Sequence, residues 1–294
     1  MIQRKLFRLK LNSRTLVLGE RTLVMGVLNV TPDSFSDGGK FLQPESAIEQ
    51  AFAIERAGAD LLDIGGESTR PGSVEASASE ELDRILPVLE ALRGRLKIPI
   101  SVDTRRASVA ELAIRALAEL VNDVSGLRSD PRIAEVAARH RVPLILMHMR
   151  GEPRTMQERG FARDVMKDVM QGLRKSVAVA RKAGIAKSQI IVDPGIGFGK
   201  SFAQNYELLE KLPQLAKLGY PILVGTSRKG FLGATLARDG KPAPPEERIW
   251  GTAATVTASI LSGAHIVRVH DVLEMVQVVR VADCVLDPKQ GPKN

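Results

Sequence analysis

The sequence predicts one α/β domain, a (β/α)8 TIM barrel, and three observations carry that prediction. Eight short apolar runs of β type recur along the chain, each followed by a segment with helical periodicity. The length of 294 residues suits such a barrel, which typically occupies about 250. The runs are continuously apolar, as strands buried on both faces are, and almost every one ends at a polar residue. An open doubly wound sheet shares the alternation and is the competing architecture. Residues 1–20 read as an N-terminal extension packed on the barrel, 21–286 as the barrel and 287–294 as a disordered tail.

Residues 24–28 form the first strand. Asn29 is the first polar residue after it, and Thr31-Pro32-Asp33 breaks the strand into a polar flap closed by Gly38-Gly39. Ile48, Ala51, Phe52 and Glu55 mark a helix over 44–57, stopped by Gly58. Residues 61–65 are the second strand, followed by a loop over 66–72. Ser77 and Glu80 make a capping box for a helix running to about Leu96. The strand 98–102 leads into Asp103-Thr104-Arg105, and Val109, Leu112, Ala113, Ala116 and Leu117 mark the next helix face. Leu120-Val121 leads to Asn122-Asp123 and a helix over 132–140. The strand 143–147 ends at His148 before a helix over 164–183. The strand 190–192 ends in Asp193-Pro194-Gly195, and a helix over 202–218 follows. The strand 221–224 leads to Thr226-Ser227-Arg228-Lys229 and a helix over 246–262. The last strand, 265–269, ends at His270-Asp271 before the C-terminal helix.

Composition narrows the function. Aromatic residues make up only 4%, which leaves few stacking platforms for nucleic acid. The formal charge is +8, but the basic residues are scattered through helices, so a small anionic substrate fits at least as well. Cys284 is the only cysteine, which excludes an intramolecular disulfide and a thiolate metal cluster and leaves it a structural thiol. Residues 1–10 lack the apolar core of a signal peptide and no run reaches transmembrane length, so a cytoplasmic protein is expected.

In a (β/α)8 barrel, catalytic groups gather at the carboxyl ends of the strands. The polar residues that first follow the runs are therefore the candidates: Asn29, Asp103, Asn122, His148, Asp193, Ser227 and His270, with Thr69 and Arg70 in the second loop. Two carboxylates, Asp103 and Asp193, with the Asn122 amide suit the edge of a flat heterocycle rich in N–H donors. Each of the three could instead cap the helix that follows it. Lys229, Arg268, His270 and Arg70, with Asn29, suit a phosphate or pyrophosphate. The run Gly195-Ile196-Gly197-Phe198-Gly199-Lys200-Ser201 ends like a phosphate-binding loop, but Pro194 stands where that motif needs glycine. It also fails as a dinucleotide fingerprint, because Lys200 replaces the third glycine. His140 and His148 lack zinc-site spacing.

In order along the chain, these motifs resemble the dihydropteroate synthase family. The resemblance runs from about Val24 to Asp271. It rests on the flap motif from Asn29 to Gly39, Asp63-Ile64-Gly65-Gly66-Glu67-Ser68-Thr69-Arg70-Pro71-Gly72, Ser101-Val102-Asp103-Thr104 and Asn122-Asp123-Val124-Ser125-Gly126. Further along it rests on Met147-His148-Met149, Asp193-Pro194-Gly195 with the glycine-rich run after it, Ser227-Arg228-Lys229 and Arg268-Val269-His270-Asp271. The resemblance implies condensation of 6-hydroxymethyl-7,8-dihydropterin pyrophosphate with 4-aminobenzoate. By similarity, Asp103, Asn122, Met147, Asp193 and Lys229 match the pterin site. Asn29, Thr69, Arg70, Arg268 and His270 match the pyrophosphate region, with Mg²⁺ at Asn29. Phe35, Pro71, Phe198 and Ser227 match the aminobenzoate surroundings. Asp103, Asp193, Lys229, Arg268 and His270 are the catalytic set this implies. A pterin-binding methyltransferase and a non-catalytic pterin or anion binder are the alternatives. The C-terminal helix is apolar over about half its circumference, through Val272, Met275, Val276, Val278, Val279, Ala282, Val285 and Leu286. That exceeds the roughly 100° needed to face one core, and a homodimer is expected.

Overall fold

Strands that are apolar on both faces need cover on both, and the chain supplies it by rolling the sheet into a barrel inside a helical shell. The computed structural model describes residues 4–31, 44–68, 75–151 and 160–291. An antiparallel hairpin opens the chain, β1 (Phe7–Lys10) with β2 (Thr15–Leu18). Parallel strands follow: β3 (Leu23–Asn29), β4 (Leu61–Gly65), β5 (Ile100–Asp103), β6 (Leu120–Asp123), β7 (Leu144–Met147), β8 (Ile190–Asp193), β9 (Leu223–Val224) and β10 (Ile266–Val269). They pair in the order β8-β7-β6-β5-β4-β3-β10-β9. A bridge between Val192 and Ile222 brings the two ends of that sheet together. A doubly wound sheet would keep two open edges, so that architecture is excluded. The helices are α1 (Pro44–Arg56), α2 (Ala78–Leu92), α3 (Ala107–Ala116), α4 (Arg132–His140), α5 (Val165–Lys182), α6 (Phe202–Glu210), α7 (Gly230–Thr235), α8 (Ile249–Leu261) and α9 (Val272–Leu286).

Alternate strand residues face opposite ways. Val24, Leu62, Ile64, Val102, Val121, Leu144, Leu146, Val192 and Val267 face outward and share one core with the helices. Leu23, Met25, Leu61, Leu120, Ile145, Ile191, Leu223 and Ile266 face inward and form a second core at the amino-terminal foot. Leu9, Leu11 and Leu18 of the hairpin region complete that core, so the foot is plugged with leucine. Behind the plug, Thr22 N–H and Arg4 Nη2 donate to the buried Asp283 carboxylate of α9, both at 2.7 Å.

The capping box is present: Glu80 N–H donates to Ser77 Oγ at 3.2 Å and Ser77 N–H to Glu80 Oε2 at 2.7 Å. Several elements differ from expectation. The helix expected over 202–218 breaks after Glu210 into a 3₁₀ segment, Leu212–Leu218. Pro213 accounts for the break, because its ring would collide with the carbonyl four residues back in a continuing α-helix. The helix expected from Glu246 begins as a 3₁₀ turn, Pro245–Arg248, before α8. Residues 287–291 carry a short 3₁₀ turn, Pro288–Gln290. The Asp287 carboxylate accepts from Lys289 N–H at 3.1 Å, and Gln290 Nε2 donates to the Glu20 carbonyl at 2.7 Å. Among the described residues no helix is long and apolar enough to cross a membrane.

Candidate active site

The inward face of five strands, β4, β5, β6, β8 and β10, changes over two residues. Leu61 gives way to Asp63, Leu120 to Asn122, Ile191 to Asp193 and Ile266 to Arg268, while Ser101 gives way to Asp103. Strand period alone puts the second member of each pair one layer above the first. The upper layer therefore lines the carboxyl-end mouth, a cavity of about 520 Å³ walled by Asn29, Asp103, Asn122, Met147, Asp193, Phe198, Ser227, Lys229, Arg268 and His270.

Arg268 sits at the centre of the floor. Its Nε donates to Asp63 Oδ2 at 2.6 Å and its Nη2 to Asp103 Oδ2 at 2.8 Å. Asn122 Nδ2 donates to the same Asp63 oxygen at 2.9 Å. Burial pushes the Asp103 carboxyl up to about 8, opposed chiefly by Arg268 and reinforced by the neighbouring Asp63. Arg268 offsets only part of the Asp103 desolvation, because its guanidinium is shared with Asp63. Neither Asp103 nor Asn122 caps a helix, since the N-cap positions of α3 and α4 are Arg106 and Pro131.

Asp193 closes the opposite side. Its Oδ1 accepts from Gly195 N–H at 2.6 Å. Burial raises its carboxyl to about 6, held back by that N–H and by Lys229. Lys229 lies with Nζ 4.0 Å from the centroid of the Phe198 ring, and burial, with Arg268, lowers it to about 8. Val124, Met147, Met149 and Phe198 form a small apolar cluster beside these groups. The mouth thus combines an apolar wall with acceptors on its edge, which is what a flat, donor-rich ring requires.

His270 N–H donates to Ser227 Oγ at 3.1 Å, and its Nδ1 lies 3.0 Å from the same oxygen. Burial first, then the charges of Arg268, Arg228 and Lys229, lower the imidazole to about 3. In the free site it is therefore neutral at neutral pH, although the sequence groups it with the cations. Ser227 and Lys229 flank Arg228, whose φ of +57° lies in the left-handed region. Such a backbone costs on the order of 1–3 kcal/mol and persists only when its surroundings hold it. Here Arg228 pairs bidentately with Asp271, and its backbone is gripped by Thr252 at 3.1 Å and by Arg248 Nη1 at 2.8 Å.

One expected member is not in the mouth. His148 follows the inward Met147, so strand alternation turns it toward the helices. A Cβ on Gly172 of α5 would meet its ring at 2.4 Å, and Nε2 is 3.5 Å from Asp168. Burial keeps it neutral. Phe35, Thr69, Arg70 and Pro71 lie outside the described residues. Asp63, Arg228 and Lys200 take part in building the site but are not among the sequence candidates. A charge inside an otherwise apolar run was the available signal for Asp63. Among the described residues no three His, Cys, Asp or Glu side chains are grouped to hold a metal ion.

A family model described as pterin binding enzyme matches residues 25–270. The dihydropteroate synthase of Synechocystis sp. is 51% identical over 267 residues, which is 91% of this chain and 91% of the relative. The solved dihydropteroate synthase from Clostridium difficile in the presence of pteroic acid superposes with a TM-score of 0.84 at 43% identity, covering 91% of this chain and 98% of that one. The Xanthomonas albilineans dihydropteroate synthase with 4-aminobenzoic acid superposes with a TM-score of 0.88 at 42% identity, covering 96% and 99%.

Proposed function

The chain belongs to the pterin-binding enzyme family, and from that membership we infer that it is a dihydropteroate synthase. It condenses 6-hydroxymethyl-7,8-dihydropterin pyrophosphate with 4-aminobenzoate, giving 7,8-dihydropteroate and pyrophosphate. The single observation that carries this reading to individual residues is the polar upper layer of the barrel. Asp103, Asn122, Asp193 and Lys229 hold the pterin, and Met147 lies against its ring. What supports this is the acceptor edge beside an apolar wall in one cavity. Asn29, Arg268 and His270, with Thr69 and Arg70, hold the pyrophosphate. Phe198 and Ser227, with Phe35 and Pro71, surround the aminobenzoate.

Mg²⁺ belongs to the same proposal, with Asn29 as its protein ligand. The donor chemistry fits, because Mg²⁺ commonly takes one or two protein oxygens and completes its shell with substrate phosphates and water. When bound it would supply positive charge to the pyrophosphate oxygens. The amine of 4-aminobenzoate is a weak nucleophile, and the two mouth carboxylates are committed to the pterin. The proposed route is therefore dissociative. The C–O bond to pyrophosphate breaks with its electron pair on oxygen, the ionised Asp193 carboxylate stabilises the pterin cation beside Asp103, and the amine nitrogen then forms the C–N bond and loses a proton.

Val272, Met275, Val276, Val279 and Ala282, expected to form part of a partner surface, are buried in the protein's own core, and it is other exposed apolar side chains on α8 and α9 that support a homodimer: Trp250, 79% exposed, with Leu273, Val281 and Val285. Sedimentation at micromolar concentration is expected to give the dimer mass, and a monomer would contradict it. A cytoplasmic location goes with the biosynthetic role, and fractionation of cells tests it. The function itself is tested by incubating the protein with both substrates and Mg²⁺. Dihydropteroate is expected only when both substrates are present. Pterin binding without any product would leave a binder or a methyltransferase.

A further inference from the structure

The loop leaving β8 carries the glycine-rich run whose lysine resembles a phosphate ligand without its motif. Lys200 is only 2% exposed, and its side chain is turned into the protein backbone. Its Nζ donates to the carbonyl oxygens of Gly195 at 2.8 Å, Phe198 at 2.9 Å and His148 at 3.2 Å. An ammonium has three N–H donors, and three carbonyls take them. The first two acceptors lie in the loop itself, and the third lies on the chain leaving β7. Lys200 therefore ties the two loops together while fixing the shape of its own.

Glycines make that close approach possible. Gly195 has φ +65°, and a Cβ there would stand 1.9 Å from the His148 carbonyl oxygen. Gly199 has φ +64°, and its Cβ would stand 2.1 Å from the Arg150 carbonyl oxygen. The loops thus lie backbone on backbone, and at these positions no side chain fits between them. What the knot holds is functional on both sides. Gly195 donates its N–H to Asp193, and Phe198 presents its ring to Lys229.

We propose that Lys200 is a positioning residue, holding the carbonyls of Gly195 and Phe198 so that the Phe198 ring forms one wall of the aminobenzoate subsite. The inference rests on the reading of this mouth as a dihydropteroate synthase site. It assigns the lysine to the backbone and leaves none of its donors for a substrate phosphate.

The test compares wild type, Lys200→Met, Phe198→Ala and the double variant. KM for 4-aminobenzoate, Kd for dihydropterin pyrophosphate by calorimetry, and the thermal midpoint are measured for each. Wild type must bind the pterin and turn over; if it does not, the functional reading fails whatever Lys200 does. Lys200→Met is expected to raise the aminobenzoate KM about tenfold or more, because small misplacements of a positioning group carry penalties of that order. Pterin Kd is expected to rise by a clearly smaller factor than the aminobenzoate KM, since Gly195 also donates to Asp193, and the double variant to be no worse than the poorer single variant, as expected for residues acting through one contact. Equal losses for both substrates, or additive losses in the double variant, would overturn the proposal. If Lys200→Met does not fold cooperatively, Lys200→Gln replaces it, and an unchanged aminobenzoate KM in that folded variant overturns the proposal equally.

Discussion

The foot and the mouth of the barrel are built from the same strands two residues apart, yet they are opposite in chemistry. At the foot, Leu23, Leu61, Leu120, Ile145, Ile191, Leu223 and Ile266 converge on the hairpin leucines. One layer up, four of those strands supply Asp63, Asn122, Asp193 and Arg268, and β5 adds Asp103. The lower layer gains stability from every side chain it buries. The upper layer pays for desolvated charge that is only partly offset by pairing. The barrel thus separates what holds it together from what it works with, and the two ends should respond differently to change.

The largest effect is expected at the foot. Leu18→Ala removes a fully buried plug residue and should cost about 2–5 kcal/mol of stability, as large-to-small core substitutions do. Chemical denaturation measures that loss. Calorimetry on the folded variant should find pterin affinity unchanged. A pterin affinity that falls in step with stability would mean the two ends are not separable.

The mouth should show its strain through pH. Asp193 is raised to about 6 by burial, so the fold favours its protonated form. A raised folded pKa contributes stability below the unfolded value that is lost as pH rises through the folded value. Asp193→Asn removes that dependence. Relative to wild type the variant should therefore gain on the order of 2 kcal/mol as pH rises from 4 to 7. Pterin affinity of the wild type should move the other way and weaken below about pH 6, where the acceptor carboxylate takes up a proton. A stability difference between variant and wild type that does not change with pH would remove this contrast.

How much of this was legible in the sequence depends on the direction a side chain takes. Asn122, Asp193 and Arg268 were legible because each follows an apolar inward residue by two, and Asp103 follows the inward Ser101 by two, so strand alternation carries all four into the barrel. His148 follows Met147 by one, and the same rule turns it away, which a list of first polar residues overlooks. Asp63 was hidden because it stands inside its run rather than after it, and its partners, Arg268 and Asn122, come from strands distant in sequence. Arg228 and Lys200 were hidden because their partners are backbone atoms or a residue on another loop. The 3₁₀ break after Glu210 was readable from Pro213, since proline cannot continue a helix there. The hairpin was not, because Phe7–Lys10 alternates over only four residues and Thr15–Leu18 does not alternate at all, too little pattern to separate a strand from an extended tail.

Whether the carboxylates of the upper layer read the pterin ring is decided by calorimetry of dihydropterin pyrophosphate with wild type and Asp193→Asn. The substitution keeps the side chain's shape but can turn a donor toward the ring's N–H groups where an acceptor stood. The predicted result at neutral pH is a loss of about 1.5–3 kcal/mol in pterin affinity, with a cooperative fold retained. An Asp193→Asn variant that binds the pterin as tightly as wild type would contradict that reading.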